Sequence, residues 1–163
     1  MTPATPMSKP NPIPDRYRRI TPALIVRSGV QALEFYAEVF QATERMRFPG
    51  PGGTVAHAET EIGDSVVIIE DESPYLGTKA PPPGGIDGGP NFLFIYVEDV
   101  DAVVEKAVKL GAKLQRPPQD RFYGDRDAYL IDPFGHGWTI ATHVEDLDPQ
   151  EMMRRMADMQ NDT

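Results

Sequence analysis

Apolar residues along this chain fall into short runs, helical stripes and alternating stretches, and the whole series occurs twice. Thr21-Pro22-Ala23-Leu24-Ile25-Val26 and Phe92-Leu93-Phe94-Ile95-Tyr96-Val97 are brief apolar runs of the kind that predicts strands. Each is followed by apolar residues at helical spacing: Val30, Leu33, Tyr36, Ala37 and Phe40 in the first case, Val100, Val103, Ala107 and Leu110 in the second. Ser28 and Asp99 stand where an N-cap acceptor is needed. The helices end near Gln41-Ala42 and Gly111-Ala112, and Gly111 tolerates the left-handed conformation that closes a helix. Glu105 and Lys109 form an i,i+4 pair on the wet side of the second helix. Alternating segments at 54–61 and 64–70 predict a hairpin turning at Ile62-Gly63. Segments 127–132 and 137–143 predict its counterpart, turning at Pro133-Phe134-Gly135-His136, and strands at 44–48 and 113–116 complete each unit. Matching landmarks lie about 70–72 positions apart, so residues 20–70 and 92–142 read as two copies of one βαβββ unit.

The expected fold class is α+β, with two βαβββ modules forming curved mixed sheets whose hollow could seat a small molecule. Residues 1–17 form a Pro-rich leader with too little apolar content to offset ordering entropy, and are expected to be disordered. Residues 18–70 are the first module, 71–91 a Pro/Gly-rich linker and possible lid, and 92–146 the second module. Residues 147–163 are a C-terminal helix and tail. The helix is announced by Asp148-Pro149-Gln150-Glu151 and carries Met152, Met156 and Met159 on one face. That face is expected to pack on its own domain or on a second subunit.

At 163 residues the chain suits one well-buried domain. A formal charge of −9 argues against nucleic acid and anionic membrane surfaces as partners. The absence of cysteine removes disulfides, thiolate metal sites and a cysteine nucleophile, and fits a soluble cytoplasmic protein. No stretch approaches the roughly 20 apolar residues of a membrane helix. There is no Gly-rich phosphate loop and no Gly-x-Ser-x-Gly elbow.

Phe35-Tyr36, Val97-Glu98-Asp99-Val100-Asp101, Gly111-Ala112 and Asp132-Pro133-Phe134-Gly135-His136 resemble the vicinal oxygen chelate superfamily of glyoxalases, bleomycin-resistance proteins, fosfomycin-resistance enzymes and extradiol dioxygenases. His57-Ala58-Glu59, Ile62-Gly63-Asp64-Ser65, Phe122-Tyr123-Gly124-Asp125-Arg126 and Ala141-Thr142-His143-Val144-Glu145-Asp146 resemble its PhnB-like branch. The resemblance spans roughly residues 18–155 and implies paired modules around a half-barrel cavity, usually in a homodimer. It also implies metal ligands at four strand positions, which Thr21, Val67, Phe92 and Thr139 occupy here. None of these is His, Asp, Glu or Cys, the donors that divalent metals require, so neither the usual metal nor any other cofactor is expected.

His57 and Glu59 lie two apart on a strand and therefore share a face, where they could orient a ligand or move a proton. His143 shares the parity of Thr139 and Ala141 and could reach the rim, or could simply bond Glu145 or Asp146. His136 sits in a turn and reads as structural. In Phe122-Tyr123-Gly124-Asp125-Arg126, Tyr123, Asp125 and Arg126 could hold a polar ligand group, or the charged pair could only lock the loop. Arg126 could alternatively pair with Asp132. Phe92, Phe94 and Tyr96 alternate on one face, opposite the smaller Thr21, Ala23 and Ile25, which suits a planar or hydrophobic ligand. Trp138 has the opposite parity and is expected to pack under a helix. The sequence therefore points to a small-molecule binder without the usual metal. Two alternatives stay open: a superfamily enzyme (lyase, isomerase or dioxygenase-like), metal-free or with a relocated metal, and a dimeric interaction module with a filled cavity.

Overall fold

Both apolar runs become edge strands of separate four-stranded sheets. In the computed structural model, which describes residues 9–86 and 88–161, the first module runs β1 (Ala23–Val26), α1 (Gly29–Phe40), β2 (Thr43–Pro49), β3 (Val55–Ile62) and β4 (Ser65–Asp71). The second runs β5 (Leu93–Tyr96), α2 (Val100–Lys109), β6 (Lys113–Asp120), β7 (Asp125–Ile131) and β8 (Gly137–His143), followed by α3 (Pro149–Asn161). The strand orders are β1-β4-β3-β2 and β5-β8-β7-β6. In each sheet the first strand runs parallel to the last, and Ala23 faces Ile68 as Phe94 faces Thr139. The fold is α+β, and the repeat expected from the sequence is this matched register. Residues 1–8 of the expected leader lie outside the described residues.

Local chemistry explains the helix limits. Ser28 accepts from the Gln31 amide at 3.4 Å and Asp99 from the Ala102 amide at 3.1 Å, each supplying a partner for a first-turn N–H. Asp148 does the same for Glu151 at 2.9 Å. Helix α1 ends at Gln41 with φ +55°, and α2 is followed by Gly111 with φ +103°. The stripes differ from the expected ones. Ala37 is exposed while Ala32, Phe35 and Val39 are buried, and Leu110 is exposed while Val104 is buried. On α1 the reason is that the helix is covered on two sides. It packs on its own sheet and also meets Phe134 and Trp138 of the second module, so it buries two adjoining stripes.

One hydrophobic core joins the modules. Leu24, Val26, Ala58, Val67 and Ile69 enter it from the first sheet, and Ala128, Leu130, Trp138 and Ile140 from the second. Strand alternation then sends the intervening residues to the opposite, hollow faces. Trp138 is buried against Phe40 at 4.6 Å between ring centres, as its parity suggested. His136 donates through Nε2 to the Ile25 carbonyl at 2.8 Å, which fits the structural role expected of a turn histidine. The linker packs along the second module. Its Arg27–Pro81 hydrogen bond and the approach of Gly85 to Ile131 and Gly135 place it on the β7–β8 turn. No helix among the described residues is long and apolar enough to cross a membrane.

Candidate functional site

On the hollow face of the second sheet, Phe92, Phe94 and Tyr96 project side by side and are 56%, 48% and 61% exposed. Phe94 and Tyr96 lie 5.2 Å apart and Phe92 meets Tyr129 edge-on at 6.1 Å. Beside this aromatic wall the same face buries two carboxylates. Asp125 accepts from the Tyr96 hydroxyl at 2.8 Å and from His143 Nδ1 at 2.7 Å. His143 Nε2 reaches Asp146 at 2.7 Å. With an acidic acceptor on each ring nitrogen, first Asp125 and then Asp146, the His143 pKa is raised and the imidazolium is favoured. Asp127 is 1% exposed; it accepts from Arg121 Nε at 2.7 Å, from Arg116 at 3.4 Å and from the Tyr123 hydroxyl. Burial, followed by Asp127, pushes the Tyr123 phenol up to about 12. Gly124 makes this loop possible, since its φ is +92° and a Cβ there would collide with the Glu145 carbonyl.

The sequence-predicted residues divide cleanly. Phe92, Phe94, Tyr96, Tyr123, Asp125 and His143 share this face or its rim. Arg126 does not, because it alternates with Asp125 and Asp127 and points to the helix side. There it grips Asp101 of α2 with two nitrogens at 2.7 and 2.9 Å and Asp120 at 3.1 Å. It therefore pairs neither with Asp125 nor with Asp132, and its hydrogen-bonding fork is already occupied.

His57 and Glu59 lie together on the hollow face of the first sheet. His57 Nδ1 meets Glu70 at 2.8 Å and its Nε2 meets Glu59 at 3.5 Å. These acceptors, Glu70 foremost, raise the His57 pKa and favour a ring that carries both protons. Such an imidazolium can donate a proton but cannot take one. Glu59 also receives the Tyr17 hydroxyl, at 2.7 and 3.0 Å from its two oxygens.

The sequence profile of the glyoxalase/bleomycin resistance protein/dioxygenase superfamily matches residues 19–140, which cover both modules. The chain belongs to this superfamily. It is 33% identical over 139 residues to an uncharacterized protein of Mycobacterium bovis, covering 85% of this chain and 91% of that one. Its fold is similar to that of a glyoxalase/bleomycin resistance protein/dioxygenase family enzyme from Burkholderia phytofirmans, with TM-score 0.60, 22% identity, and 75% and 95% of the two chains covered. It is likewise similar to a PhnB protein from Bacillus cereus, with TM-score 0.58, 20% identity, and 77% and 99% covered.

Among the superfamily's ligand positions expected from the sequence, one moves. The module-one counterpart of Thr139 is Ile68, which faces Ala23 as Thr139 faces Phe94. Val67 instead points into the core. Counting from the turn glycine misplaces it because the first hairpin closes tightly, Ile62 opposite Ser65, whereas the second closes with a longer turn between Ile131 and Gly137. Among the described residues no group of three or more His, Cys, Asp or Glu side chains is arranged to hold a metal ion.

The superfamily fold leaves an open cleft of about 1450 Å³ between the modules. Thr21, the β3–β4 turn and the end of α1 form one side, β5 and the start of α2 the other, with Trp138 beneath. Of the expected ligand residues, Phe94, Tyr96 and His143 line it, while His57, Glu59, Phe92, Tyr123 and Asp125 do not. Sequence reasoning missed Tyr17, Arg45, Glu70, Arg121 and Asp127. Glu70 was recoverable: a tight turn at Gly63-Asp64 pairs Ala58 with Ile69 and brings Glu70 beside His57.

Proposed function

We propose that this chain binds a small aromatic or hydrophobic molecule against the hollow face of the second sheet, without the superfamily's usual metal, and works as a homodimer. The observation that carries the reading is the row Phe92, Phe94 and Tyr96, three large rings left about half exposed beside the buried, hydrogen-bonded Asp125. Contiguous exposed apolar surface rimmed by ordered polar groups is characteristic of a binding face. The metal does not fit the donor chemistry, because Thr21, Ile68, Phe92 and Thr139 offer two hydroxyls and no imidazole or carboxylate. The dimer is supported by the open sheet edges among the described residues, β1 and β5 included, since monomeric proteins usually protect such edges. An enzymatic role has one observation in its favour: His57, held between Glu70 and Glu59, is a proton donor facing a hollow.

The test is titration of the full chain with 1-anilinonaphthalene-8-sulfonate. Saturable binding at one site per chain, weakened at least about tenfold by Phe94→Ala, supports the reading. Unsaturable binding, or no effect of Phe94→Ala, overturns it. Turnover of an aromatic compound found to displace the probe would instead establish the enzyme.

A further inference from the structure

The hollow of the first sheet contains a ring-binding cradle whose occupant comes from the chain itself. Glu59 is 4% exposed, and a carboxylate at that depth is costly unless it is hydrogen-bonded. The strands around it supply little: His57 stands 3.5 Å away and Arg45 3.9 Å. Among the described residues, the only short hydrogen bonds to the Glu59 carboxylate come from the Tyr17 phenol. Arg45 holds the other side of that phenol, with its guanidinium carbon 5.1 Å from the ring centre.

Arg45 reaches this position through a defect in the sheet. Glu44 faces Thr60 and Met46 faces Glu59, so Arg45 is the extra residue of a bulge. Bulges re-aim side chains, and this one brings a cation that is only 11% exposed to Glu59 and the ring. The cradle is thus built by β2 and β3, whereas the phenol arrives from elsewhere.

Tyr17 belongs to a stretch, residues 9–22, without helix or strand. Apart from Pro22, which meets Ile68 at the start of β1, this stretch is tied to the sheet by few polar contacts. Among the described residues they are the Tyr17–Glu59 bonds, a 3.4 Å bond from Arg45 to the Arg16 carbonyl, and an exposed Arg18–Asp64 pair at 3.7 Å. The exposed pair contributes little. The occupant is therefore removable, while the carboxylate and guanidinium that recognise it are fixed on strands.

We infer that Glu59 and Arg45 form a binding site for a phenol from solution, and that Tyr17 occupies this site as an internal competitor. The carboxylate selects the hydroxyl proton and the guanidinium selects the ring face. His57, whose protonated form Glu70 favours, stands beside Glu59 as a second donor. The site shares no residue with the aromatic wall of the second sheet, so it stands or falls independently of the function proposed above.

The experiment compares the full-length chain with Tyr17→Ala by isothermal titration calorimetry. The probe is p-cresol, which reproduces the tyrosine side chain, and 4-methylanisole, which lacks the hydroxyl proton, is the control. A competitor that fills the site nine-tenths of the time or more lowers apparent affinity about tenfold or more. Tyr17→Ala is therefore expected to bind p-cresol at least about tenfold more tightly than the parent, with no such gain for 4-methylanisole. Adding Glu59→Gln to Tyr17→Ala should remove most of the gain. Equal gains for both probes would overturn the inference, since only an apolar gap would have been opened. No gain in a variant with the parent's circular dichroism would also overturn it, as would failure of both Tyr17→Ala and Tyr17→Phe to fold, which would make Tyr17 a structural strap.

Discussion

Tyr36 of the first module donates its buried hydroxyl to Asp132 of the second, with the two oxygens 2.6 Å apart. The same carboxylate accepts the Trp138 indole N–H at 2.9 Å and the amides of Phe134 and His136 at 2.9 and 3.0 Å. One acidic side chain therefore shapes the β7–β8 turn, orients the core tryptophan and ties α1 to the other module. Burial, followed by Asp132, raises the Tyr36 pKa well above its ordinary value, so the phenol remains a donor across the range in which the protein is handled.

Tyr36→Phe should lower unfolding free energy by about 1.5–3 kcal/mol, the usual worth of a hydrogen bond to a charged group. Asp132→Ala should cost about 3–5 kcal/mol, because it also strands the Tyr36 and Trp138 donors in the core. Urea unfolding measures both. A Tyr36→Phe midpoint equal to the parent's would show that the two modules hold together without this bond.

Asp127 tests the second sheet in the same way. Its removal leaves Arg121, whose Nε lies 2.7 Å away, without its carboxylate. Asp127→Asn should therefore destabilise by about 3 kcal/mol, the lower end for breaking a buried pair, since Arg121 retains some exposure. The Tyr123 phenol, now pushed up to about 12, should also ionise closer to its ordinary 10.0. Absorbance titration at about 295 nm follows the second effect, with Tyr123→Phe identifying the signal.

The features legible in the sequence were those set by local rules. Ser28, Asp99 and Asp148 cap the helices they were expected to cap, and the parity of Phe94 and Trp138 assigned them to opposite faces. What sequence did not reveal depends on tertiary geometry. The two-stripe burial of α1 arises because Phe134 and Trp138 of the other module cover it. Arg45 faces the hollow only because of a bulge, and composition gave no sign that Tyr17 of a Pro-rich leader would dock on Glu59. Arg126 was misjudged beside Asp125, although adjacent strand residues must face opposite ways.

The two strand histidines give the stability a defined pH dependence. The folded pKa values of His57 and His143 both lie above the ordinary 6.5, through Glu70 and Glu59 in one case and Asp125 and Asp146 in the other. A raised folded value means that protonation favours the native state. The contribution is complete below about 6.5, the unfolded value, and is lost as pH rises through the folded midpoints. The urea midpoint should therefore fall between mildly acidic and mildly alkaline pH. NMR titration should place both imidazoles above the ordinary value, and Glu70→Gln should return His57 towards it. A His57 midpoint below the ordinary value would contradict the arrangement.

Phe94 tests the assembly. It stands between Phe92 and Tyr96 on a strand whose outer edge is free, and all three rings are substantially exposed. Burying such rings contributes about 1.5–3 kcal/mol each, so a partner copy pairing at the β5 edge and covering the outer part of the row would gain from it while leaving the inner part to the ligand. An aspartate in its place would have to lose its hydration on assembly, on a face that already buries Asp125 and Asp127. The folded monomer should be little affected, because Phe94 lies half outside the core. Phe94→Asp should therefore sediment near 18.1 kDa while the parent sediments at twice that mass, with unchanged far-ultraviolet circular dichroism. If the parent dimer persists in Phe94→Asp while binding of the naphthalene probe is lost, this face serves the ligand alone and the dimer is built elsewhere. A parent chain that remains monomeric at tens of micromolar would remove the homodimer altogether.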